Sequence, residues 1–487
     1  MQLSNKELLQ KLSFINNEWT EAQGGKTFEV TNPANGEVIT KVADCGALET
    51  EQAIHAASKA FIAWRQKTAK ERSALMRKWF NLVTANADDL ALLMTTEQGK
   101  PLAEAKGEVT YGASFIEWFA EEARRVYGDV IPTPLNDRRI LTLKQPIGVV
   151  AAITPWNFPV SMITRKLSPA IAAGCTVVLK PASQTPLCAL ALAYLAKEAG
   201  FPDGVINIVT SSHASEIGKV MTESLHVQKF SFTGSTKVGK MLMQQSASTV
   251  KKVSLELGGN APLIVFNDAN IEKAVKGALA CKYRNAGQTC VCANRLYIQE
   301  EIYEPFMQEY RKAVLALKVG DGTKPGVDIG PLIDNDAVEK INRLMDDAVS
   351  KGATVTAGGN KPEAGNLFYQ PSIIEGCNTE MAVSKEEIFG PVSAIFKFTT
   401  EEEAIQLANN TEYGLAAYFF TENLGRAWRV AEALDYGIVG LNEGIVSTAE
   451  APFGGMKESG IGREGSKYGI DEYVEVKYVC IGGLNRD

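Results

Sequence analysis

The segment Ile147–Leu179, IGVVAAITPWNFPVSMITRKLSPAIAAGCTVVL, decides the fold class of this chain. It opens with the apolar run Ile147–Ile153 and closes with the β-branched run Thr176–Leu179, and both have the composition and length of strands. Between them, Val160–Ala173 is amphipathic and has the length of a helix. A strand, a helix and another strand joined by short loops indicate a parallel sheet covered by helices.

The same alternation continues along the chain. The further predicted strands are Val205–Val209, Lys229–Phe232, Val253–Leu257, Leu263–Phe266 and Arg295–Gln299. The predicted helices are Pro186–Ala199, Ala214–Thr222, Lys237–Ser246, Ile271–Lys282 and Tyr303–Leu317. We therefore expect two α/β domains, and parallel sheets of this kind bind ligands at the carboxyl ends of their strands.

The remaining regions predict helices and an arm. Ser58–Ala85 and Leu90–Ala105 are expected to form two long helices before the first sheet. Tyr127–Lys144, which contains Pro132, predicts an extended hairpin without a core of its own. Such an arm packs on a neighbouring subunit or on the C-terminal tail, where Glu472–Val479 alternates like a strand. We therefore expect a homodimer or a homotetramer.

Composition and charge argue against several classes of protein. At 487 residues, with 45% hydrophobic and 22% charged residues, the chain is long enough for two or three domains. Its net charge of −7 argues against nucleic acids and anionic membranes as partners. The sequence has no signal-peptide pattern and no run of roughly 18 apolar residues that could span a bilayer, so we expect a cytoplasmic protein. The 8 cysteines show neither disulfide nor zinc spacing, which predicts reduced thiols and no metal.

Two short motifs suggest covalent chemistry. NAGQTC (Asn285–Cys290) places a cysteine after a glycine-containing turn, and LELGG (Leu255–Gly259) places Glu256 at a strand end. A modest lowering of the thiol pKa would make Cys290 a nucleophile. The 3 histidines lie in no recognisable catalytic setting, so a buried Glu256 with a raised pKa is the candidate base. Taken alone, a packed cysteine and a solvated glutamate remain the alternatives.

A third motif suggests a phosphate-binding turn. GSTKVGKM (Gly234–Met241) follows a predicted strand and nearly matches the phosphate loop G-x-x-x-x-G-K-[ST]. Met241 stands where that loop needs a hydroxyl for Mg²⁺, which argues against a nucleoside triphosphatase. The junction of strand, Gly234, Ser235 and helix still suits a phosphate, because free backbone N–H groups and the helix dipole attract an anion.

Seven ordered motifs resemble the aldehyde dehydrogenase superfamily over essentially the whole chain. They are PWNFP (Pro155–Pro159), KPAS (Lys180–Ser183), FTGS (Phe232–Ser235), LELGG (Leu255–Gly259), GQTC (Gly287–Cys290), EEIFGP (Glu386–Pro391) and PFGG (Pro452–Gly455). Within the superfamily, three segments resemble the succinate-semialdehyde dehydrogenase branch: ITRK (Ile163–Lys166), YRNAGQTCVCANR (Tyr283–Arg295) and GREGSKYGIDEY (Gly462–Tyr473).

The resemblance implies a domain organisation. Residues 1–126 and 147–258 would form a Rossmann-type parallel-sheet cofactor domain, and residues 259–450 an α/β catalytic domain. Residues 127–146 and 467–487 would form a small β oligomerisation arm, and residues 451–466 would return to the cofactor domain.

The resemblance also implies a mechanism. Cys290 attacks the aldehyde carbon, and the Asn157 side-chain amide and the Cys290 backbone N–H stabilise the oxyanion of the thiohemiacetal. Its collapse transfers a hydride to the nicotinamide and leaves a thioester. Glu256 then activates the water that hydrolyses this thioester.

Cofactor contacts are implied at the positions that match the family. They are Trp156, Lys180, Ser183, Gly234, Ser235, Leu257 and Glu387. NAD-preferring relatives often carry Glu at the Ser183 position, where a carboxylate binds the ribose hydroxyls and repels a 2′-phosphate. Ser183 removes that repulsion and Lys180 supplies a cation, so we expect NADP, with NAD as the other possible cofactor.

Substrate contacts are implied for Arg165, Arg284 and Ser447, which would bind a distal carboxylate, since the planar guanidinium matches two oxygens. Without the resemblance, both arginines would be interpreted as ordinary helix charges. The expected substrate is a short aldehyde carrying a carboxylate, foremost succinic semialdehyde. Glutaric semialdehyde or a broader set of aldehydes is the alternative, because one methylene leaves no motif. Cys292, two residues after Cys290, is a candidate partner for a strained, reversible disulfide.

Two functions from other classes remain open from the residues. A thioester hydrolase or acyltransferase would need only the Cys290 nucleophile, although the cofactor-type sheet argues against it. A non-catalytic protein on the same fold would be expected to lack Cys290 or Glu256, and both are present.

Overall fold

The computed structural model describes residues 1–359, 365 and 367–484. The strands are, in chain order, β1 (Ser13–Ile15), β2 (Glu18–Thr20), β3 (Thr27–Thr31), β4 (Val38–Ala43), β5 (Val130–Ile131), β6 (Arg139–Pro146), β7 (Val149–Ile153), β8 (Thr176–Lys180), β9 (Ile206–Ile208), β10 (Val227–Thr233), β11 (Lys252–Glu256), β12 (Ala261–Val265), β13 (Ala293–Gln299), β14 (Thr354–Ala357), β15 (Ser372–Glu375), β16 (Val392–Phe398), β17 (Tyr413–Gly414), β18 (Ala416–Phe420), β19 (Ile438–Leu441), β20 (Met456–Lys457), β21 (Gly460–Ile461) and β22 (Val474–Ile481). The α-helices are α1 (Ala47–Trp64), α2 (Ala69–Ala85), α3 (Ala87–Gln98), α4 (Leu102–Glu122), α5 (Ser161–Ala173), α6 (Leu187–Ala199), α7 (Ala214–Glu223), α8 (Thr236–Ser246), α9 (Ile271–Tyr283), α10 (Tyr303–Leu315), α11 (Asn335–Ser350), α12 (Glu401–Asn409), α13 (Leu424–Ala433) and α14 (Ser466–Asp471).

The first sheet has eight strands in the order β2-β1-β9-β8-β7-β10-β11-β21. Its central strands β9, β8, β7, β10 and β11 are parallel. Successive residues of β7 belong to opposite cores, since Val150 packs with α2, α4, α5 and α6 whereas Val149 packs with α1 and α7. Burial on both faces explains why this strand is an unbroken apolar run.

The second sheet has seven strands in the order β14-β15-β16-β13-β12-β18-β19. All of its pairs are parallel except β14 with β15. The chain enters this sheet from β11 through Gly258–Asn260. A Cβ atom on Gly259 would lie 2.6 Å from the carbonyl oxygen of Cys290, so a side chain there would displace the cysteine loop.

The predicted α/β fold with two parallel sheets is confirmed. The first sheet draws its strands from residues 13–20, 149–256 and 460–461, and the second from residues 261–441. The domain boundaries themselves stay a prediction. In the part of the chain that the structure describes, every helix is too short or too polar to cross a membrane.

The arm is a separate three-stranded antiparallel sheet in the order β22-β6-β5. The C-terminal strand lies along the whole of β6, with Val474 opposite Pro146 and Ile481 opposite Arg139. The arm therefore pairs with the tail of its own chain. The last residues of the predicted arm, 485–487, lie outside the described residues.

The prediction of one helix over Ser58–Ala85 is wrong. Helix α1 ends at Trp64 and α2 begins at Ala69. Thr68 and Glu71 form a capping box, in which Glu71 N donates to Thr68 Oγ1 at 3.3 Å and Thr68 N donates to Glu71 Oε2 at 2.8 Å. The capped start satisfies backbone donors and separates the two helices.

The prediction of one helix over Leu90–Ala105 is also wrong. Helix α3 ends at Gln98, and Gly99 adopts a left-handed φ of +96°. Pro101 then precedes the start of α4. A left-handed glycine and a proline together end the first helix and begin the second.

Candidate active site

The predicted site residues gather at the carboxyl edge of the first sheet. Strands β8, β7, β10 and β11 are neighbours and end at this edge. The residues at or just after their ends are Lys180 (β8), Trp156 and Asn157 (β7), Gly234 and Ser235 (β10), and Glu256 and Leu257 (β11). The carboxyl ends of adjacent parallel strands thus meet where such sheets bind ligands.

A cavity of about 270 Å³, called the larger cavity below, opens at this edge. The predicted site residues in its lining are Trp156, Asn157, Gly234, Ser235, Leu257, Cys290 and Glu387. Lys180 and Ser183 lie outside this lining, although Lys180 ends the strand beside β7.

The larger cavity fits a dinucleotide. A Cβ atom on Gly234 would lie 2.4 Å from the Phe232 ring, so a side chain there would displace that ring from the turn. Ser235 caps α8, accepting from Val238 N at 3.4 Å, and the start of the helix attracts phosphate. Glu387 accepts from Gly259 N at 3.1 Å, and burial raises its pKa to about 7. A carboxylate in this position suits ribose hydroxyls.

A cavity of about 30 Å³, the smaller cavity, lies on the other side of the nucleophile. Its lining residues are Tyr111, Phe158, Met162, Arg165, Arg284, Thr289, Cys290, Val291, Ser447 and Phe453. The structure therefore brings the three residues predicted to bind a carboxylate together with Cys290. Cys290 is the predicted site residue common to both linings, and it stands between them.

Arg165 is a buried residue of the smaller cavity and not a cation on a helix surface. Its side chain is 1% exposed and forms an ion pair with Glu464. The guanidinium lies 4.2 Å from the centre of the Phe453 ring. Lys166 binds the other oxygen of the same carboxylate, with Nζ 2.6 Å from Glu464 Oε1. Arg284 lies 5.5 Å from the centre of the Phe158 ring.

The two buried carboxyl groups of the site differ in proton affinity. Burial and the neighbouring Glu464 raise the pKa of Glu256 well above its usual range. Both oxygens of Glu256 lack a hydrogen-bond partner among the described residues. Burial also acts to raise the pKa of Glu464, but the charges of Arg165 and Lys166 lower it. The two environments separate the pKa values, so that Glu256 is suited to take up and release a proton whereas Glu464 stays an anion.

Sequence reasoning missed Glu464 as a functional residue. A pattern that could have indicated it is present, since Glu464 belongs to the GREG sequence at the start of the motif GREGSKYGIDEY. Lys166 stands out in the sequence only as the last residue of the ITRK motif. Their roles depend on an ion pair that joins α5 to the segment before α14, which no local pattern indicates.

The expectation of a lowered thiol pKa at Cys290 is wrong. Burial raises the pKa of Cys290 to about 12, and Arg165 offsets only part of this rise. Desolvation of the anion outweighs the nearby cation. The thiol is therefore protonated at neutral pH and must lose its proton when it attacks.

Asn157 is held close to the cysteine loop. Its Nδ2 donates to the carbonyl oxygen of Gln288 at 3.1 Å. The Nδ2 of Asn285 donates to the backbone oxygen of Asn157 at 3.0 Å and to that of Gln288 at 3.2 Å. These bonds fix the PWNFP turn against the loop that carries Cys290.

Cys292 is buried, and its thiol donates to the carbonyl oxygen of Lys282 at 3.4 Å. Both Cys290 and Cys292 are free thiols in the structure. The disulfide between them stays a prediction. Across residues 1–359, 365 and 367–484, no cluster of three His, Cys, Asp or Glu side chains could hold a metal ion.

Comparisons with known proteins agree with the geometry. The sequence profile of the Aldehyde dehydrogenase family matches residues 19–479. The chain is 58% identical to the NADP-dependent succinate-semialdehyde dehydrogenase of Escherichia coli (strain K12), covering 99% of this chain and 100% of that protein. It is also 58% identical to a glutarate-semialdehyde dehydrogenase of Pseudomonas putida, with 99% and 100% coverage.

A solved structure is equally similar. The crystal structure of an NADP-dependent enzyme of Escherichia coli superposes with a TM-score of 0.98 at 58% identity, covering 99% of this chain and 100% of that one. The resemblance predicted from the ordered motifs is confirmed, and the chain belongs to the aldehyde dehydrogenase family.

Proposed function

We propose that this protein oxidises succinic semialdehyde to succinate with NADP, through a thioester on Cys290. The observation that carries the proposal is the position of Cys290 between two cavities. One has the features of a dinucleotide site, and the other contains two arginines and a serine. A nucleophile in this position can hold an aldehyde whose acidic end binds the arginines while its reacting carbon faces the cofactor.

The first step is the attack of Cys290 on the aldehyde carbon. The S–C bond forms as the π bond of the carbonyl breaks and the thiol proton passes to water, and Arg165 favours that loss because its charge lowers the thiol pKa against burial. The Asn157 amide carries two hydrogens on Nδ2, and the one not used by Gln288 is available to the oxyanion. The backbone N–H of Cys290 is the second donor. Preorganised donors of this kind stabilise the charge that develops on oxygen.

The second step is hydrolysis of the thioester. A bound nicotinamide would accept the hydride that leaves the aldehyde carbon. Glu256 then acts as general base toward water in its deprotonated form, whose proton affinity burial and the neighbouring Glu464 increase. Glu256 lies outside the lining of both cavities, so we expect its side chain to turn toward Cys290 for this step.

NADP is proposed from the residues around the adenine ribose. Lys180 is buried at the end of β8, and Ser183 follows in the loop that leads to α6. A serine beside a lysine accommodates a 2′-phosphate, which a glutamate would repel. The NADP-dependent relative of E. coli supports this choice.

Residues of the smaller cavity support a short acidic substrate. Arg284 and Ser447 are only partly buried, and Arg165 is fixed by Glu464, so the cavity offers an ordered set of donors. Glutaric semialdehyde is the second candidate, because a relative of equal identity is named for that substrate.

We also propose that the protein is a homo-oligomer. The arm exposes large apolar side chains, among them Val130 (81% exposed), Val476 (63%) and Tyr478 (61%). Apolar side chains grouped on one sheet mark an interaction surface. Light scattering coupled to size exclusion should give a mass of at least twice 52.7 kDa, and a mass of 52.7 kDa would contradict the proposal.

Steady-state kinetics test the proposed function. Succinic semialdehyde, glutaric semialdehyde, butanal and pentanal would each be assayed with NADP and with NAD, following the absorbance of the reduced nicotinamide. The proposal predicts the highest kcat/KM for succinic semialdehyde with NADP. Higher kcat/KM for the uncharged aldehydes would contradict the acidic substrate, and higher kcat/KM with NAD would contradict the cofactor. Cofactor-independent cleavage of a thioester, without aldehyde oxidation, would indicate the hydrolase class.

A further inference from the structure

A buried lysine outside both cavity linings contacts the backbone of the oxyanion turn. The Lys100 side chain is 1% exposed, and it forms an ion pair with Glu108, which is equally buried. Lys100 Nζ also donates to the backbone oxygen of Asn157 at 2.8 Å and lies 3.9 Å from the centre of the Phe158 ring. The peptide group that follows Asn157 is thus oriented by a charged donor.

Glu108 holds the other end of the same turn. Its Oε1 accepts from Val160 N at 2.9 Å and from Ser161 N at 3.2 Å, at the start of α5. These are backbone donors that a helix start leaves without partners, and a carboxylate there is favoured by the helix dipole. The Lys100–Glu108 pair therefore spans the PWNFP turn from the Asn157 carbonyl to the first amides of α5.

The same segment reaches the cysteine loop. Gln98 Nε2 donates to Asn285 Oδ1 at 3.0 Å, and Glu104 Oε2 accepts from Asn285 N at 2.8 Å. Asn285 in turn donates to the carbonyls of Asn157 and Gln288. Residues 98–108 therefore hold both the amide and the nucleophile loop that the oxyanion would contact.

We propose that the buried Lys100–Glu108 pair positions the Asn157 amide for stabilisation of the oxyanion. The inference rests on the proposed function of Asn157. Burial of two charges is costly, and a well-packed apolar pair would be about as stable, so stability alone does not account for the pair. Its hydrogen bonds converge instead on the turn that carries the amide. Lys100 is a positioning residue, since it acts through Asn157 and lines neither cavity.

A double-mutant cycle between Lys100→Met and Asn157→Ala tests this coupling. Loss of one oxyanion donor should lower kcat about 10²- to 10³-fold in Asn157→Ala. Misplacement of that donor should lower kcat roughly 10- to 100-fold in Lys100→Met, with little change in either KM. In the Asn157→Ala background, Lys100→Met should add almost nothing, because the amide that it positions is gone.

Alkylation of Cys290 by iodoacetamide separates positioning from general disruption. Displacement of iodide by the thiolate forms no oxyanion, so the alkylation rate should be the same in wild type and Lys100→Met. The matched control is Lys106→Met, the same substitution six residues further along the chain in α4, where Lys106 pairs with Asp88 at the surface. This control should keep wild-type kcat.

Additive losses in the cycle, or a fall in alkylation that parallels the fall in kcat, would overturn the positioning role while leaving the proposed function intact. Wild-type kcat in Asn157→Ala would overturn the oxyanion role itself and the inference with it. If circular dichroism shows that Lys100→Met is unfolded, the cycle is run with Lys100→Gln/Glu108→Gln. That pair leaves no uncompensated buried charge, and the same non-additivity with Asn157→Ala is required.

Discussion

The two cavities that meet at Cys290 recognise their ligands by different means. The larger cavity is lined largely by a glycine turn, a helix start and the apolar side chains Trp156 and Leu257, with Glu387 as its carboxylate. The smaller cavity places the charged side chains of Arg165 and Arg284 in a lining that is mainly apolar and aromatic, and Arg165 is held by Glu464. Backbone groups suit the phosphates that all dinucleotides share. The fixed charges of the arginines suit only a substrate that carries a carboxylate.

This difference implies that the two selectivities are separable. The proposed choice between NADP and NAD depends on Lys180 and Ser183, which lie outside the lining of the larger cavity. The proposed choice of aldehyde depends on groups within the smaller cavity. A change at Cys290 should abolish aldehyde oxidation with either cofactor, whereas a change on one side should leave the selectivity of the other side intact.

Replacement of Cys290 by Ala has the largest expected effect. No thioester can form, so aldehyde oxidation should fall below detection with either cofactor. Titration of the protein fluorescence with NADPH should still show binding, because the larger cavity keeps its other lining residues. Residual oxidation at more than a trace of the wild-type rate would identify a different nucleophile.

Replacement of Glu256 by Gln should stall the second half of the reaction. The variant lacks the base for thioester hydrolysis, so kcat should fall about 10²- to 10⁴-fold. Rapid mixing should show a burst of reduced cofactor, close to one equivalent per site, followed by slow turnover. Steady turnover at the wild-type rate would mean that another group activates water.

Replacement of Ser183 by Glu tests the cofactor side alone. A carboxylate beside a 2′-phosphate that carries about −1.5 to −2 charges should cost several kcal/mol, or at least about 100-fold in kcat/KM for NADP. The kcat/KM for NAD should be kept or improved. Initial rates with each cofactor at a fixed aldehyde concentration give the two kcat/KM values. An equal fall in kcat/KM for both cofactors would place Ser183 away from the ribose.

The pH dependence of NADP use is the smallest expected effect. Burial lowers the pKa of Lys180 to about 8, although Asp44 acts in the opposite direction. Below that pKa the ammonium attracts the 2′-phosphate, and above it the charge is lost. The KM for NADP should therefore rise between about pH 7.5 and 9.5, by up to about tenfold, or 1.4 kcal/mol. The KM for NAD should change less with pH. The KM for NADP of Lys180→Arg should also change less with pH.

Local patterns predicted the sheets well because their strands are buried on both faces. The apolar runs Val149–Ile153 and Thr176–Lys180 are short, and their burial leaves few other interpretations. Helix ends were predicted poorly, since the Thr68 cap and the left-handed Gly99 interrupt patterns that are otherwise helical. Such breaks depend on single residues and not on periodicity.

The site was predicted in its motifs but not in its electrostatics. The ordered motifs identified the residues that converge at Cys290. The raised pKa of Cys290 depends on burial, and the ion pair of Glu464 with Arg165 joins positions 299 residues apart. The contact of Lys100 with the Asn157 carbonyl likewise joins the loop between α3 and α4 to a distant turn. Interactions of this range arise only when the chain folds.

Selectivity for an aldehyde that carries a carboxylate is proposed to reside in the smaller cavity, and it should not depend on which cofactor is bound. The most direct measurement is kcat/KM of Arg284→Ala for succinic semialdehyde and butanal, each with NADP and NAD. Loss of a charge-assisted hydrogen bond of roughly 1.5–3 kcal/mol predicts a fall of about 10- to 150-fold for succinic semialdehyde. Butanal should change little, and the ratio of NADP to NAD should equal that of the wild type. Equal losses for both aldehydes, or a changed cofactor ratio, would contradict the account.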